Sequence, residues 1–140
     1  MVSRKAWVRA TREACGTSQQ DLARRLGVRP LTVRRWERED GPEPPDDVMG
    51  HLERALEAHD RAVSALVRSA LDEARSTGAA TLEVRREQGE DGPVSSQELN
   101  RVATDAAAAL RGVGIQVEWR YPEEGQTPVL REHHRQGEAQ

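Results

Sequence analysis

Apolar positions fall at helical spacing through the first half of this chain and at mixed helical and alternating spacing in its last third. Trp7, Val8 and Ala14 mark the inward side of a first helix over about residues 3–15. Ser18 stands at an N-cap position, with Asp21 three residues on as the partner of a capping-box-like pair. Leu22, Ala23 and Leu26 then form a short inward stripe, and Gly27 closes that helix, since glycine alone enters the left-handed region without steric cost. Val28 plugs the turn. Pro30 opens the next helix at the one place where its missing N–H is harmless, and Val33 and Trp36 give that helix its buried edge.

DGPEPPDD (40–47) is a proline-rich break that ends in a candidate cap at Asp46 or Asp47. From Val48 to about Ser76 the pattern is helical without proline. Met49, Leu52, Leu56, His59, Val63, Leu66 and Ala70 recur at alternating spacings of three and four, a heptad seam. A helix of this length, about 40 Å at 1.5 Å per residue, is expected to exceed what so small a chain can cover and so to seek a second copy. Thr77-Gly78 ends it. Leu82 and Val84 alternate with charged residues in a strand over Ala80–Arg86, and 87–93 is a loop. Ser95 and Glu98 form a second capping box ahead of a helical stripe of Leu99, Val102, Ala103, Ala106, Ala107 and Leu110 that stops at Gly112 and Gly114. Val113, Ile115, Val117, Trp119 and Tyr121 alternate strictly as a second strand. The polar stretch 122–140 lacks periodicity and reads as a disordered tail.

The predicted fold is therefore mainly α. Residues 1–45 form an N-terminal helical bundle, 46–76 a long linking helix, and 77–121 a small strand-helix-strand unit suited to dimerisation. Two strands are too little sheet to stand alone, so they are expected either to pair with those of a second subunit or to lie against the long helix.

Charge sharpens the picture. Residues 1–41 hold ten Lys/Arg against five Asp/Glu, whereas 42–140 hold eleven against nineteen, so an overall charge of −3 hides a basic head on an acidic body. Lys5 is the sole lysine, and so general a use of arginine points to composition as much as to selection at each site. The single cysteine, Cys15, excludes an internal disulfide and reads as a small buried residue. No run of about 18 apolar residues and no targeting segment is visible, so a cytoplasmic protein without membrane partners is expected. His59 on the seam reads as a locally paired histidine. His51, His59 and the His133-His134 pair lack a suitable carboxylate or cysteine set, so no metal site is expected. Neither a cofactor, an effector pocket nor a catalytic group is expected, because aromatic content is 3% and no phosphate loop or nucleophile–base pair occurs.

Two short helices, a tight turn with one glycine and a basic outer face are the sequence form of a helix-turn-helix. Ser18, Gln19, Leu22, Ala23, Leu26, Gly27, Val28, Thr32, Val33, Trp36 and Glu37 stand in register with the lambda-repressor-like (Cro/C1, XRE) DNA-binding family. Over about residues 3–45 the chain resembles that family. The resemblance implies that Gln19 contacts a phosphate and braces the reading helix. It places Arg29, Pro30, Leu31, Thr32 and Arg35 where relatives touch bases or backbone, and implies an Arg12–Glu37 salt bridge between the first and third helices. Three residues depart from the pattern: Arg29 replaces a serine cap, Thr17 a buried leucine, and Pro30 a side chain able to donate to a base. Base reading then falls to Arg34 and Arg35, with Leu31 able to meet a thymine methyl, and Arg38 adds charge. Gly27 and Trp36 are structural. The layout, including PPDDV at 44–48, also resembles YdiL-like proteins and anti-CRISPR-associated autorepressors, the C-terminal third only in outline.

The expected function is that of a homodimeric, autoregulatory repressor on an inverted repeat in double-stranded DNA. Met49, Leu52, Leu56, His59, Val63, Leu66, Val117 and Trp119 are the expected dimer contacts. The alternative is an antitoxin or other interaction module whose C-terminal unit binds a partner protein, and RNA binding by the same basic face stays open.

Overall fold

The computed structural model describes residues 3–86 and 93–125. Five helices and two strands follow in order: α1 (Arg4–Ala14), α2 (Gln19–Leu26), α3 (Pro30–Glu37), α4 (Asp46–Thr77), β1 (Ala79–Glu83), α5 (Ser96–Gly112) and β2 (Gln116–Arg120), then a 3-10 turn at Pro122–Gly125. The mainly helical fold with an N-terminal helix-turn-helix, one long helix and a small sheet is as the sequence pattern predicts. Most of the predicted tail, together with most of the 87–93 loop and the His133-His134 pair, lies outside the described residues.

Two hydrophobic cores form. The first joins Val8 of α1, Leu22 and Ala23 of α2, Val33 and Trp36 of α3, and Val48 and Leu52 of α4, with Trp7, Leu26, Val28 and Met49 packed around them. The second joins Ala70 of α4, Ala80 and Leu82 of β1, and Ala106, Ala107 and Leu110 of α5, with Val63, Leu66, Val67, Leu71, Ile115 and Val117 against them. Helix α4, about 48 Å long at 1.5 Å per residue, belongs to both. The head core thus runs past residue 45 and takes the first turns of α4 with it.

This division covers much of the α4 seam within the chain itself, where the sequence pattern suggested a surface too long for so small a chain to cover. Leu52 is 1% exposed within the head core and His59 is 8% exposed. Met49, Val63, Leu66 and Val117 pack on the chain's own cores, while Leu56 is half-buried. Heptad spacing marks which face of a helix is apolar. It does not say what covers that face, and here α5 and the head do so in turn. Of the expected dimer contacts only Trp119, 42% exposed, stands open.

The cap of α4 also differs from expectation. Pro45 occupies the N-cap with no side-chain bond, and Asp46 and Asp47 lie in the first turn, where their charge suits the helix dipole. Asp46 turns instead to Arg4, 2.7 Å away. At the far end Gly78 stops the helix with φ 84°. The two strands pair in parallel, Ala80 beside Val117 and Leu82 beside Trp119, and α5 supplies the crossover that parallel strands require.

Candidate nucleic-acid interface

The α2–α3 unit is set by local chemistry. Ser18 Oγ accepts the N–H of Asp21 at 3.0 Å, capping α2. The reciprocal half of the expected capping box is absent among the described contacts: Asp21 binds the Arg24 guanidinium at 2.9 Å instead. Gly27 turns the chain with φ 68°. Pro30 takes the first position of α3, and Arg29 sits at its N-cap without a side-chain bond. Burial of Val33 and Trp36 fixes the roll of α3, since at about 100° per residue these two lie opposite Leu31, Arg34, Arg35 and Arg38. Those four are exposed, with Leu31 at 44%. Pro30 and Thr32 flank them, half-buried.

Electrostatics separates the arginines of the head. Arg4 pairs with Asp46, Arg9 with Glu13, Arg12 with Glu37, Arg24 with Asp21 and Arg25 with Glu98. Arg29, Arg34, Arg35 and Arg38 have no carboxylate partner among the described residues. Within residues 3–41, then, the four arginines without a carboxylate partner lie on or at the ends of one eight-residue helix.

Behind that helix, Arg12 and Glu37 form a two-pronged bond at 2.8 and 2.9 Å, with side chains only 10% and 5% exposed. The bond to Glu37 raises the Arg12 pKa further above its ordinary value against the opposing effect of burial. Gln19 donates to the same carboxylate at 3.2 Å, so its side chain braces α3 from α2. Lys5 does comparable work from α1, donating to the carbonyls of Pro42 at 2.7 Å and Arg35 at 3.3 Å. Gly41 crosses that spot so closely that a Cβ would overlap the Arg35 carbonyl. The sole lysine, whose rarity was the available signal, is therefore a structural strut under α3.

Sequence reasoning missed a second cluster. Glu98 completes its capping box with Ser95, as predicted, but it also accepts both prongs of the Arg25 guanidinium and the Thr17 hydroxyl at 2.7 Å. Burial pushes this carboxyl up, yet the bonds from Arg25, the Ser95 N–H and Thr17 outweigh it and hold its pKa at about 2. Gly16, with φ 71°, lies against Gln97 and Arg101 of α5, where a Cβ would collide with the Arg101 side chain. The α1–α2 turn of the head is thus clamped to the start of α5. Threonine at position 17, in place of the family's leucine, was the visible hint.

Below the clamp lies a cavity of about 470 Å³ between α4 and α5, floored by Ala55, Ala58, Ala62, Leu99 and Val102. Nothing in the sequence pattern pointed to this cavity. Cys15 lines it, its thiol pushed up by burial and by nearby Glu98, Asp60 and Asp105. His51 at its rim is pushed down by burial and by Arg54 and Arg25. His59 donates from Nε2 to Asp105 at 2.7 Å, the local pairing expected of it. Among the described residues, no group of three or more His, Cys, Asp or Glu could hold a metal, and no helix is long and apolar enough to cross a membrane.

A capped helix, a glycine turn and a second helix rolled to present arginine outward define a helix-turn-helix DNA-binding domain. Residues 8–59 match the family model described as helix-turn-helix, a match that supports the lambda-repressor-like (Cro/C1, XRE) resemblance of this segment. The match runs from α1 into the middle of α4, across the head core and beyond residue 45. That family is one of DNA-binding regulatory domains rather than of enzymes. Comparison with curated proteins and with solved structures returns no match.

Proposed function

We propose that the chain is a homodimeric transcriptional repressor that binds an inverted repeat in double-stranded DNA and covers a promoter, its own gene's first. The observation that carries the DNA contact is the sorting of the arginines: the head neutralises its other arginines internally and leaves those of α3 exposed. In this reading Arg34 and Arg35 read base edges, guanine above all, through bidentate bonds in the major groove. Leu31 meets a thymine methyl, Pro30 and Thr32 line the approach, and Arg29 and Arg38 hold phosphates at the two ends of the helix. Gln19 adds a phosphate contact while keeping its bond to Glu37. Two copies would place their α3 helices in successive major grooves, with half-sites about 34 Å apart.

The test is a gel-shift titration on the DNA immediately upstream of the gene, at two salt concentrations and with nonspecific competitor. A tight, competitor-resistant shift with a two-fold symmetric footprint is expected. A weak shift abolished by salt would defeat the repressor reading and favour a protein partner as the main target.

A further inference from the structure

The two edges of the sheet are finished differently. Several outward backbone groups on β1 and just beyond it are occupied by side chains: Thr77 Oγ1 donates to the C=O of Ala79 at 2.8 Å, the Thr81 N–H meets Glu73 Oε1 at 3.3 Å, and Asn100 bonds both the N–H and the C=O of Arg85, at 2.7 and 2.9 Å. On β2 the Arg120 carbonyl accepts the Val84 N–H at 3.0 Å, so Arg120 faces β1. Alternation along a strand then turns the N–H and C=O of Val117 and Trp119 to the far edge. Among the described residues nothing bonds them there, and the adjoining Trp119 ring is 42% exposed. A bare strand edge with an exposed tryptophan is a template for another strand.

We propose that a second copy of this chain docks on that edge, antiparallel, with Trp119 opposite Trp119 of the copy, making one four-stranded sheet. This rests on the homodimer reading above and narrows its interface, from a set that spans the α4 seam and the second strand, to the edge of β2. The register follows from charge. Only slides by an even number of positions keep Val117 and Trp119 on the helix-covered face. Centring on Glu118 sets two carboxylates against each other, and centring on Val117 sets Glu118 against Gln116 and Arg120 against Gly114, so that no ion pair forms. Centring on Trp119 places Glu118 of each copy opposite Arg120 of the other, twice. The tryptophans then exchange both backbone hydrogen bonds, and the Glu–Arg pairs fall at the closer, non-hydrogen-bonded positions. Glu118 has no ion pair within its own chain among the described residues, while Arg120 reaches Glu83 at 3.4 Å. The dimer would extend that pair into a Glu83–Arg120–Glu118 row across the two-fold axis.

Sedimentation of the full chain tests this, with circular dichroism verifying that each variant folds. Wild type should be a dimer. Glu118→Lys and Arg120→Glu should each weaken self-association at least tenfold, because each sets like charges opposite one another. An equimolar mixture of the two variants should recover the dimer, since in the heterodimer every introduced charge meets its opposite. A monomeric wild type would overturn the homodimer reading itself. A dimeric wild type whose variants remain dimeric would overturn this interface alone, and weakened variants that fail to recover on mixing would overturn the register.

Discussion

An arginine can read DNA only if its guanidinium is not already spent on a carboxylate. Arg24 and Arg35 look alike as letters, each in an arginine pair on a short helix, yet Arg24 lies 2.9 Å from Asp21 and Arg35 has no such partner among the described residues. Arg35→Ala is expected to cost about 1–3 kcal/mol in specific binding and to relax preference at one base position. Arg24→Ala should leave the preferred sequence unchanged. Selection from a randomised operator pool, followed by titration of both variants, distinguishes the two. Neighbour identity decides this at the residue scale. Sequence spacing predicted the capping residues Ser18 and Ser95 well, because a cap depends on residues three apart. It could not show that Glu98 also binds Thr17 and Arg25, which are more than seventy positions away.

At the scale of the element, helix α3 trades cap for charge. Its N-cap position holds Arg29, which offers no side-chain acceptor to the first turn. Arg29→Ser should restore such an acceptor and stabilise the domain by about 0.5–2 kcal/mol. If Arg29 holds a phosphate, the same change should make the salt dependence of DNA binding shallower by about one counterion. Thermal unfolding and a salt titration measure the two effects separately, and a gain in stability with an unchanged salt slope would remove Arg29 from the DNA contacts. The long helix shows the opposite balance between pattern and outcome. Its length, its start near the PPDD turn and its glycine stop were legible in the sequence. The partner of its apolar face was not, because a seam of threes and fours is the same whether a second helix, a sheet or the chain's own α5 lies upon it.

Taken whole, the molecule is less modular than its pattern of breaks suggests. The head and the α/β unit are joined twice, through the continuous backbone of α4 and through the Glu98 clamp. The clamp gives the second joint a pH signature. The Glu98 pKa is held at about 2 in the folded chain against an ordinary 4.5. A depressed folded-state pKa means that its contribution is fully present above about pH 4.5 and is lost as pH falls towards 2. Glu98→Gln is therefore expected to remove roughly 1–3 kcal/mol of stability at neutral pH and to flatten the acid limb between those values. Chemical denaturation across that range, wild type against variant, checks it; parallel limbs would show that the clamp bears no load.

A single rod shared by two cores also constrains how the gene can vary in length. Each residue inserted into the middle of α4 would rotate the head by about 100° and shift it about 1.5 Å relative to the sheet. Seven residues would nearly restore the rotation, with a drift of about 20°, but would carry the α1–α2 turn some 10 Å along the axis, away from Gln97 and Arg101. Insertions and deletions between Leu56 and Ala62 should thus be rare in descendants of this gene. Anyone grafting a different reading head onto this body must cut after the clamp's contacts are accounted for, not at the proline-rich break where the sequence invites the scissors.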